Sequence, residues 1–349
     1  MHFASDNAGP VHPKILDALA AANEGWAIGY GNDPLTQRAI QRVRDLFEAP
    51  KAAVYLTATG TACNAILLAT MAKPYDIVFC TPEAHIHEDE CNAPEFYTGG
   101  AKLSLIESRD ALMEPAALDA EMTKRGSWGV QGPQPGAVSI TSVTERGTLY
   151  PLDHIAAIAR IAHRHGTCLQ RDGARFANAG AALNCTPAEM SWKAGVDAVS
   201  FGGTKNGCMG VEAAVIFDPE TAWEFELRRK RGGHLFSKHR FLSAQIDAYL
   251  ADGLWLDLAT AANAAADRLT RGLTSCRDTA FRWQPAANML FTDMPRSLHR
   301  RLHDAGAVYY VWEGTLDGDP SGTATARLVT DWSTPDDAID RFVDIVSQT

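Results

Sequence analysis

Lys205 is the residue whose surroundings point most directly to chemistry. The apolar run 198–201 predicts a buried strand, and positions 202–207 continue as Gly-Gly-Thr-Lys-Asn-Gly. Small neighbours let the backbone crowd around the lysine, and a partly desolvated lysine has a lowered pKa and can form a Schiff base with an aldehyde. The same pattern is also compatible with an ordinary surface lysine in a glycine-rich loop.

A carboxylate, Asp172, stands in a comparable place. It follows a predicted strand over 166–169, it opens the sequence Asp-Gly-Ala-Arg, and 33 residues separate it from Lys205. That spacing allows one helix and one strand, which in a parallel sheet brings both residues to the edge where ligands bind. A lysine that holds an aldehyde carbon and a carboxylate that pairs with a pyridinium nitrogen are how proteins hold pyridoxal phosphate.

With these two motifs the chain resembles the L-threonine aldolases of the low-specificity bacterial type, in the pyridoxal-phosphate-dependent fold type I superfamily. The resemblance runs from the Ala-Ser-Asp-Asn at 4–7 to the Arg-Leu-Val at 327–329, and it rests mainly on 172–179 and 201–207. It implies an α/β fold. We expect a large domain with a mostly parallel, seven-stranded-type sheet between helices, and a smaller α+β C-terminal domain. The alternation of predicted strands and helices over 52–217 agrees with this.

The expected boundaries are 1–35 for an N-terminal segment that joins the small domain, 36–250 for the large domain and 251–349 for the small domain. The implied reaction is retro-aldol cleavage of L-threonine, L-allo-threonine or related, including aryl, L-β-hydroxy-α-amino acids to glycine and an aldehyde. Two alternatives stay open with the same cofactor, namely β-elimination and transamination. A third is a metal hydrolase built on the cluster of His85, His87, Glu88, Asp89 and Glu90.

The resemblance also implies roles for single residues. The expected catalytic residues are Lys205, His85 and Asp172. The expected cofactor-binding residues are Gly60, Thr61, His85, Asp172, Arg175, Thr204, Lys205 and Lys230, with pyridoxal phosphate covalently on Lys205. The expected substrate-binding residues are Ser5, Tyr30, Arg175 and Arg327. A glycine- and threonine-rich turn before a helix offers free N–H groups and the positive end of the helix dipole to a phosphate, although an isolated turn of this kind is more often a simple helix cap.

Residues 83–90 allow two interpretations. If they form a strand, His85 and His87 lie on one face and could bind a metal with the neighbouring acids. The resemblance instead places His85 against the cofactor ring, and no metal is expected.

Two departures from the family pattern concern the substrate side of the site. Relatives often have a histidine just before the strand predicted at 137–143, where it helps to hold the substrate hydroxyl group, but Trp128 or Gln131 stands there in this chain. Gln170 and Arg171 replace a histidine and an apolar residue. Both changes leave cofactor binding intact, and we expect His85 or a water molecule to take the hydroxyl proton.

Composition limits the partners. A net charge of −10 and a pI near 5.5 argue against nucleic acid, which requires a basic surface. Seven cysteines without a C-x-x-C pair favour a reduced, cytoplasmic protein, and the polar start gives no sign of a signal peptide. We expect no membrane contact, a small amino-acid substrate, and a homodimer or homotetramer with shared active sites, as in relatives.

Overall fold

The computed structural model describes residues 1–348, and its secondary structure begins with helices that alternate with strands. The helices are α1 (Pro13–Ala22), α2 (Pro34–Leu46), α3 (Gly60–Met71), α4 (His85–Glu88), α5 (Ala93–Thr98), α6 (Pro115–Gly126), α7 (Leu152–Arg164), α8 (Phe176–Leu183), α9 (Ala222–Arg231), α10 (Arg240–Leu250), α11 (Leu254–Thr274), α12 (Arg296–Asp304) and α13 (Asp336–Ser347). The strands are β1 (Ala53–Thr57), β2 (Asp76–Cys80), β3 (Lys102–Leu105), β4 (Ser108–Arg109), β5 (Leu112–Met113), β6 (Gln134–Thr141), β7 (Cys168–Gly173), β8 (Ala198–Gly202), β9 (Glu212–Ile216), β10 (Ala280–Phe281), β11 (Met289–Pro295), β12 (Tyr310–Glu313) and β13 (Thr323–Val329).

A seven-stranded sheet in the order β1-β9-β8-β7-β6-β2-β3 forms the centre of the large domain. Strand β9 runs antiparallel to β1 and β8, and the remaining neighbours are parallel. Strands β2, β8 and β9 are buried along their whole length, as expected where helices cover both faces. The prediction of a mostly parallel sheet between helices is confirmed.

The parallel strands β6, β7 and β8 fix the position of the candidate site. Their carboxyl ends, Thr141, Gly173 and Gly202, lie at one edge of the sheet because the strands pair in parallel register, with Asp172 opposite Ser200. Gly202 is required there, since a Cβ atom on it would stand 2.6 Å from the carbonyl oxygen of Ala174. Asp172 and the turn that carries Lys205 therefore leave the sheet side by side, as the spacing predicts.

A second sheet, β10-β11-β13-β12, has antiparallel pairs throughout and forms the small C-terminal domain with α12 and α13. The first residues of the chain join it. The backbone N–H of Phe3 donates to Val308 and the N–H of Val329 donates to Phe3, each at 2.8 Å. Phe3 is buried, and its ring meets that of Phe342 edge-on.

Two expectations about local secondary structure were wrong. The helix predicted over 246–273 is interrupted between Leu250 and Leu254, because Asp252 and Gly253 take positive φ angles of 53° and 74°. Residues 85–88 form helix α4 rather than a strand, so His85 and His87 point in different directions.

A third expectation from the sequence, that the basic residues 228–231 follow a helix, was also wrong. They form the last turn of α9, where positive charge complements the helix dipole. Among residues 1–348, no helix is long and apolar enough to cross a membrane.

The core of the large domain contains a cluster of phenylalanine rings at the join between helices and sheet. The buried ring of Phe47 lies 5.4 Å from that of Phe176 and 5.6 Å from that of Phe201, centroid to centroid. Phe47→Ala removes these contacts and leaves a cavity, so we expect it to lower the free energy of unfolding by about 3–5 kcal/mol. Urea unfolding followed by circular dichroism measures this.

Phe96→Ala is the matched control for this stability measurement, because the Phe96 side chain is 78% exposed. We expect it to change the free energy of unfolding by less than about 0.5 kcal/mol. Equal losses in the two variants would contradict the assignment of Phe47 to the core.

Candidate active site

A polar cleft of about 240 Å³ opens at the carboxyl edge of the large sheet. It is lined by Asn7, Ala58, Thr59, Gly60, Thr61, Asn64, His85, Asp172, Ala174, Thr204, Lys205 and Glu212. The structure thus brings together six of the residues predicted for the site, which are Gly60, Thr61, His85, Asp172, Thr204 and Lys205.

Lys205 lies in a single helical turn, Thr204–Asn206, directly after β8. The side chain of Asn206 anchors this turn by donating to the Tyr249 hydroxyl at 2.7 Å and to the Trp255 carbonyl at 2.8 Å. The pKa of Lys205 is lowered, first by the positive charge of Arg175 and then by burial. A lysine whose neutral amine is favoured in this way suits nucleophilic attack on a carbonyl carbon.

Asp172 is 3% exposed and both of its carboxylate oxygens accept hydrogen bonds. The backbone N–H of Ala174 donates to Oδ1 at 3.0 Å and the side-chain amide of Asn64 donates to Oδ2 at 2.8 Å. These two donors fix the carboxylate at the edge of the cleft.

The N-terminus of α3 forms another wall of the cleft. The Thr59 hydroxyl accepts from the N–H of Ala62 at 3.2 Å and so caps the helix, which leaves the N–H groups of Gly60 and Thr61 outside the helical ladder. A Cβ atom on Gly60 would meet no atom within 4 Å, so the space in front of these groups is open. The site therefore has the dipole and the donors of an anion site.

His85 begins α4 and is held by two acids. Its backbone N–H donates to Glu145 Oε1 at 2.7 Å, and its Nδ1 lies 2.9 Å from Glu90 Oε1. Burial lowers the pKa of His85, but the hydrogen bond to Glu90 and the charge of Asp172 outweigh it, so that the pKa is raised overall.

The metal-binding alternative finds limited support in this geometry. Of the five residues proposed for it, His85 and Glu90 converge, together with Asp172, and their ligand atoms lie within 4.8 Å of one another. His87 instead lies 3.8 Å from the exposed Glu88. The amide of Asn64 donates to both Glu90 and Asp172, so the facing carboxylate oxygens already have a hydrogen-bond donor.

Arg175 is buried beside the cleft and pairs with Asp6, which the sequence did not single out. Its Nε and Nη2 donate to the two oxygens of Asp6 at 2.6 Å and 3.0 Å. Burial raises the pKa of Asp6, but the charges of Arg175 and Lys205 outweigh this effect and lower it overall. Ser5 is close in sequence, and its hydroxyl accepts from the N–H of Asn7 at 3.1 Å.

Arg327 extends from β13 toward this ion pair. Burial and the charge of Arg175 lower the pKa of Arg327 to about 10. Its Nε lies 3.3 Å from Met289 Sδ, and its guanidinium lies over the Trp312 ring at 5.5 Å. Among residues 1–348, Arg327 has no carboxylate within salt-bridge distance. Asp331, the next acid along the chain, accepts from Ser333 and Thr334.

Two of the predicted site residues, Tyr30 and Lys230, do not line the cleft of their own chain. Tyr30 and Lys230 are exposed and contact each other, with the ammonium group 4.7 Å from the ring centroid, but neither lines the cleft. Trp128 and Gln131 precede β6, and the start of a parallel strand lies at the edge opposite to the cleft. These two residues, which precede β6 where relatives often have a hydroxyl-binding histidine, therefore do not reach the cleft. The side chain that follows β6 near the cleft is that of Glu145.

The two unusual residues before Asp172 point to opposite faces of the sheet. Gln170 shares the face of Asp172 and donates to Asn64 Oδ1 at 3.1 Å. Arg171 is fully buried on the other face, where it lies over the Phe176 ring at 5.1 Å and donates to the Met190 carbonyl.

Sequence reasoning missed Asn64, Glu90 and Glu212 as parts of this site. Asn64 gave a signal, because it is a polar residue within the buried, otherwise apolar stretch 62–69 of α3. Glu212 begins the antiparallel strand β9 beside the Lys205 turn, and burial raises its pKa to about 7. The burial of an acid at the start of a predicted strand has no visible mark in the sequence.

Comparisons with known proteins agree with this geometry. The family model described as "Beta-eliminating lyase" matches residues 2–295. A low-specificity L-threonine aldolase from Pseudomonas sp. (strain NCIMB 10558) is 37% identical over 332 residues, which cover 95% of this chain and 93% of the relative. The protein of the same name from Pseudomonas aeruginosa is also 37% identical over 332 residues.

Solved structures extend the comparison. A threonine aldolase from Leishmania major superposes with a TM-score of 0.93 at 28% identity and covers 99% of this chain and 98% of its own. A serine palmitoyltransferase from Sphingomonas wittichii, with a TM-score of 0.73 and 16% identity over 100% of this chain and 86% of its own, shares the fold alone. The predicted family, fold class and cofactor are confirmed. The chain belongs to the β-eliminating lyase family and, within it, to the pyridoxal-phosphate-dependent lyases of fold type I that include the low-specificity L-threonine aldolases.

Proposed function

We propose that the protein is an aldolase that cleaves L-threonine, L-allo-threonine or related, including aryl, L-β-hydroxy-α-amino acids to glycine and an aldehyde. The observation that carries this proposal is the meeting of Lys205, Asp172 and the N-terminus of α3 in one cleft of a chain 37% identical to named L-threonine aldolases. When it is bound, pyridoxal phosphate serves as an electron sink that allows a bond at Cα of the amino acid to break.

The residues of the cleft suit this cofactor. Lys205 supplies the amine that holds it, and the carboxylate of Asp172 suits a pyridinium nitrogen. The open space before Gly60 and Thr61 suits a phosphate, with Thr204 beside it. His85 forms a further wall, where an imidazole ring can stack on an aromatic ring. Arg175 adds positive charge next to Lys205, while its guanidinium group is hydrogen-bonded to the carboxylate of Asp6.

Arg327 is the residue we assign to the substrate carboxylate. Its guanidinium is desolvated and lacks an acidic partner among the described residues, and a carboxylate is the anion that its fork binds best. Because Arg175 already has its bidentate partner in Asp6, we expect it to act on the substrate through its charge. Ser5 adds a hydroxyl near the same end. His85, or a water molecule that it holds, accepts the proton of the substrate hydroxyl group.

Product analysis tests the reaction. With L-threonine, an aldolase releases glycine and acetaldehyde, whereas β-elimination releases ammonia and a keto acid. β-Elimination is the second candidate because the matching family model carries that description. A panel of aliphatic and aryl β-hydroxy amino acids defines the side-chain preference, and keto acid without glycine would overturn the proposal.

We also propose that the protein is cytoplasmic and works as a homodimer or homotetramer. All seven cysteines are free, as in a reducing compartment. In related proteins the loop that contains Tyr30 reaches a neighbouring subunit's site, and both Tyr30 and Lys230 lie outside the cleft of their own chain. We also propose the domain boundaries given above: residues 36–250 form the large domain, residues 251–349 form the small domain, and residues 1–35 join the small domain. Sedimentation analysis gives the subunit number.

Lys205→Ala tests the attachment of the cofactor. Loss of the amine removes the covalent link, so we expect the purified variant to lose the visible absorbance of the bound cofactor and to lose aldolase turnover. Lys193→Ala is the control, since Lys193 pairs with Glu48 on the surface. An absorbance spectrum unchanged in Lys205→Ala would assign the cofactor to another residue.

Asp172→Asn tests the electrostatic role of the carboxylate. We expect the variant to keep its cofactor but to lose about two orders of magnitude in kcat, because a neutral amide no longer keeps the pyridine nitrogen protonated. Cofactor content and kcat are measured on one preparation. Asp218→Asn, which changes an exposed turn, is the control. Normal turnover in Asp172→Asn would contradict the electrostatic role that we assign to the Asp172 carboxylate.

Arg327→Lys tests the substrate carboxylate site. Lysine keeps the charge but loses the bidentate fork, so we expect KM to rise at least about tenfold and kcat to fall as the substrate loses its orientation. Cofactor absorbance stays unchanged. Arg282→Lys is the matched control, because Arg282 pairs with Asp293 and Glu313 on the same sheet.

A purely structural Arg327 would give a different pattern. Its loss would lower the melting temperature through the contact with Trp312 and leave KM as in the wild type. Melting temperature and KM measured on the same preparation separate these outcomes.

A further inference from the structure

A chain of hydrogen bonds leads from the backbone of β7 to His85, and each of its protons can be placed. The N–H of Gly173 points to Ser200 Oγ at 3.3 Å, so the serine accepts there. Its own hydrogen is then free to donate to Asn64 Oδ1 at 2.7 Å. Gln170 donates to the same oxygen at 3.1 Å. The oxygen of Asn64 is thus fixed by two donors, and its NH₂ group must face the opposite side.

On that side the NH₂ group of Asn64 meets two carboxylates. It lies 2.8 Å from Asp172 Oδ2 and 3.0 Å from Glu90 Oε1, so one amide serves both acids. Glu90 is buried, with its side chain 0% exposed, and does not line the cleft. Its Oε1 therefore accepts from Asn64 and faces His85 Nδ1 at 2.9 Å.

The direction of these hydrogen bonds determines the tautomer of His85, that is, which ring nitrogen carries the hydrogen. When Glu90 is ionised, its Oε1 accepts from both Asn64 and His85, so the ring carries a hydrogen on Nδ1. Burial raises the pKa of Glu90, and the hydrogen bonds from His85 and Asn64 oppose this rise and favour the ionised form. The backbone N–H of His85 is held by Glu145, which fixes the start of α4 and the direction of the ring. The nitrogen that remains without a proton is Nε2, and His85 lines the cleft.

We propose that Glu90 is a positioning residue, oriented by Asn64, that holds His85 in the Nδ1-protonated form and so makes Nε2 the atom that accepts the substrate proton. This rests on the proposed function, in which His85 takes that proton. Glu90 does not line the cleft, so it acts through the side chains that it contacts, His85 and Asn64.

Charge adds to the geometry. The groups that face His85 are Glu90 and Asp172, which raise its pKa, Lys205, which lowers it, and Glu145 at its backbone. Removing the charge of Glu90 lowers the pKa of His85. The neutral form then persists to lower pH, but the base is weaker. In a plot of kcat against pH, the acid limb consequently moves to lower pH and the maximum kcat falls.

Glu90→Gln separates charge from shape. A glutamine can keep its oxygen toward Asn64 and His85 and place its NH₂ at the position of Glu90 Oε2, which is buried and has no hydrogen-bond partner. We expect the tautomer of His85 to be retained, the acid limb to move to lower pH and kcat to fall about tenfold. Glu90→Leu removes the acceptor itself, and we expect the preference for Nδ1–H to be lost.

The tautomer is read by nitrogen NMR of the holoenzyme labelled with ¹⁵N-histidine, without substrate. His85→Gln assigns the signal among the eleven histidines. Because burial raises the pKa of Glu145 to about 7, the rate profile alone does not identify the titrating group, and the pKa of His85 is followed from its own nitrogen shifts. Glu88→Gln is the matched control, since the Glu88 side chain lies on the same helix, is 58% exposed and lies 3.8 Å from His87. Circular dichroism checks that each variant is folded.

The proposal is supported if the wild type shows Nδ1–H and if Glu90→Gln, but not Glu88→Gln, lowers the pKa of His85 and moves the acid limb. It is overturned if Nδ1 carries no proton in the wild type, or if Glu90→Gln leaves the pKa of His85 in place. Failure of the proposed function would look different, because the wild type would then release no glycine and aldehyde from L-threonine while its NMR spectrum still showed the tautomer.

Discussion

The buried ion pair of Asp6 and Arg175 is the contact on which the site depends. It joins the N-terminal segment to the end of β7, and Asn288 adds the small domain by donating to Asp6 at 3.2 Å and to the Thr330 carbonyl at 2.8 Å. Leaving either charge of such a pair without its partner costs several kcal/mol. The two domains and the first residues of the chain are therefore held together beside Lys205, whose pKa Arg175 lowers.

The parallel sheet supplies the second constraint. Strand ends that meet at one edge bring Asp172, Ser200 and the Lys205 turn within reach of a single helix, α3, which is buried on both sides. That helix contributes its N-terminus to the cleft and the side chain of Asn64 to the network behind it. One helix thus presents a site for an anion and a polar hub one turn later, and its position is fixed by apolar packing against the sheet.

Much of the fold could be predicted from the sequence because its signals are local. The apolar run 198–201 marked β8, and the alternation of predicted strands and helices over 52–217 indicated the parallel sheet. The break at Asp252 and Gly253 could not be predicted, because a local change in backbone direction leaves the apolar spacing of α10 and α11 intact. In the site, Lys205 and Asp172 stood out through their neighbours. Asp6 did not, since its partner is 169 residues away and only the folded chain makes the pair visible.

The charges around Lys205 explain why the site is incomplete without a ligand. Arg175 has Asp6 as its partner, and the negative charges of Asp6, Asp172 and Glu212 face Lys205. Arg327 has aromatic and sulfur contacts instead, and burial lowers its pKa to about 10. Desolvating a guanidinium without an acid costs free energy in the ligand-free protein. In the function that we propose, the substrate carboxylate offsets this cost when it binds, so that the preference for an anionic group arises from the charges of the ligand-free protein as well as from the contacts that the substrate makes.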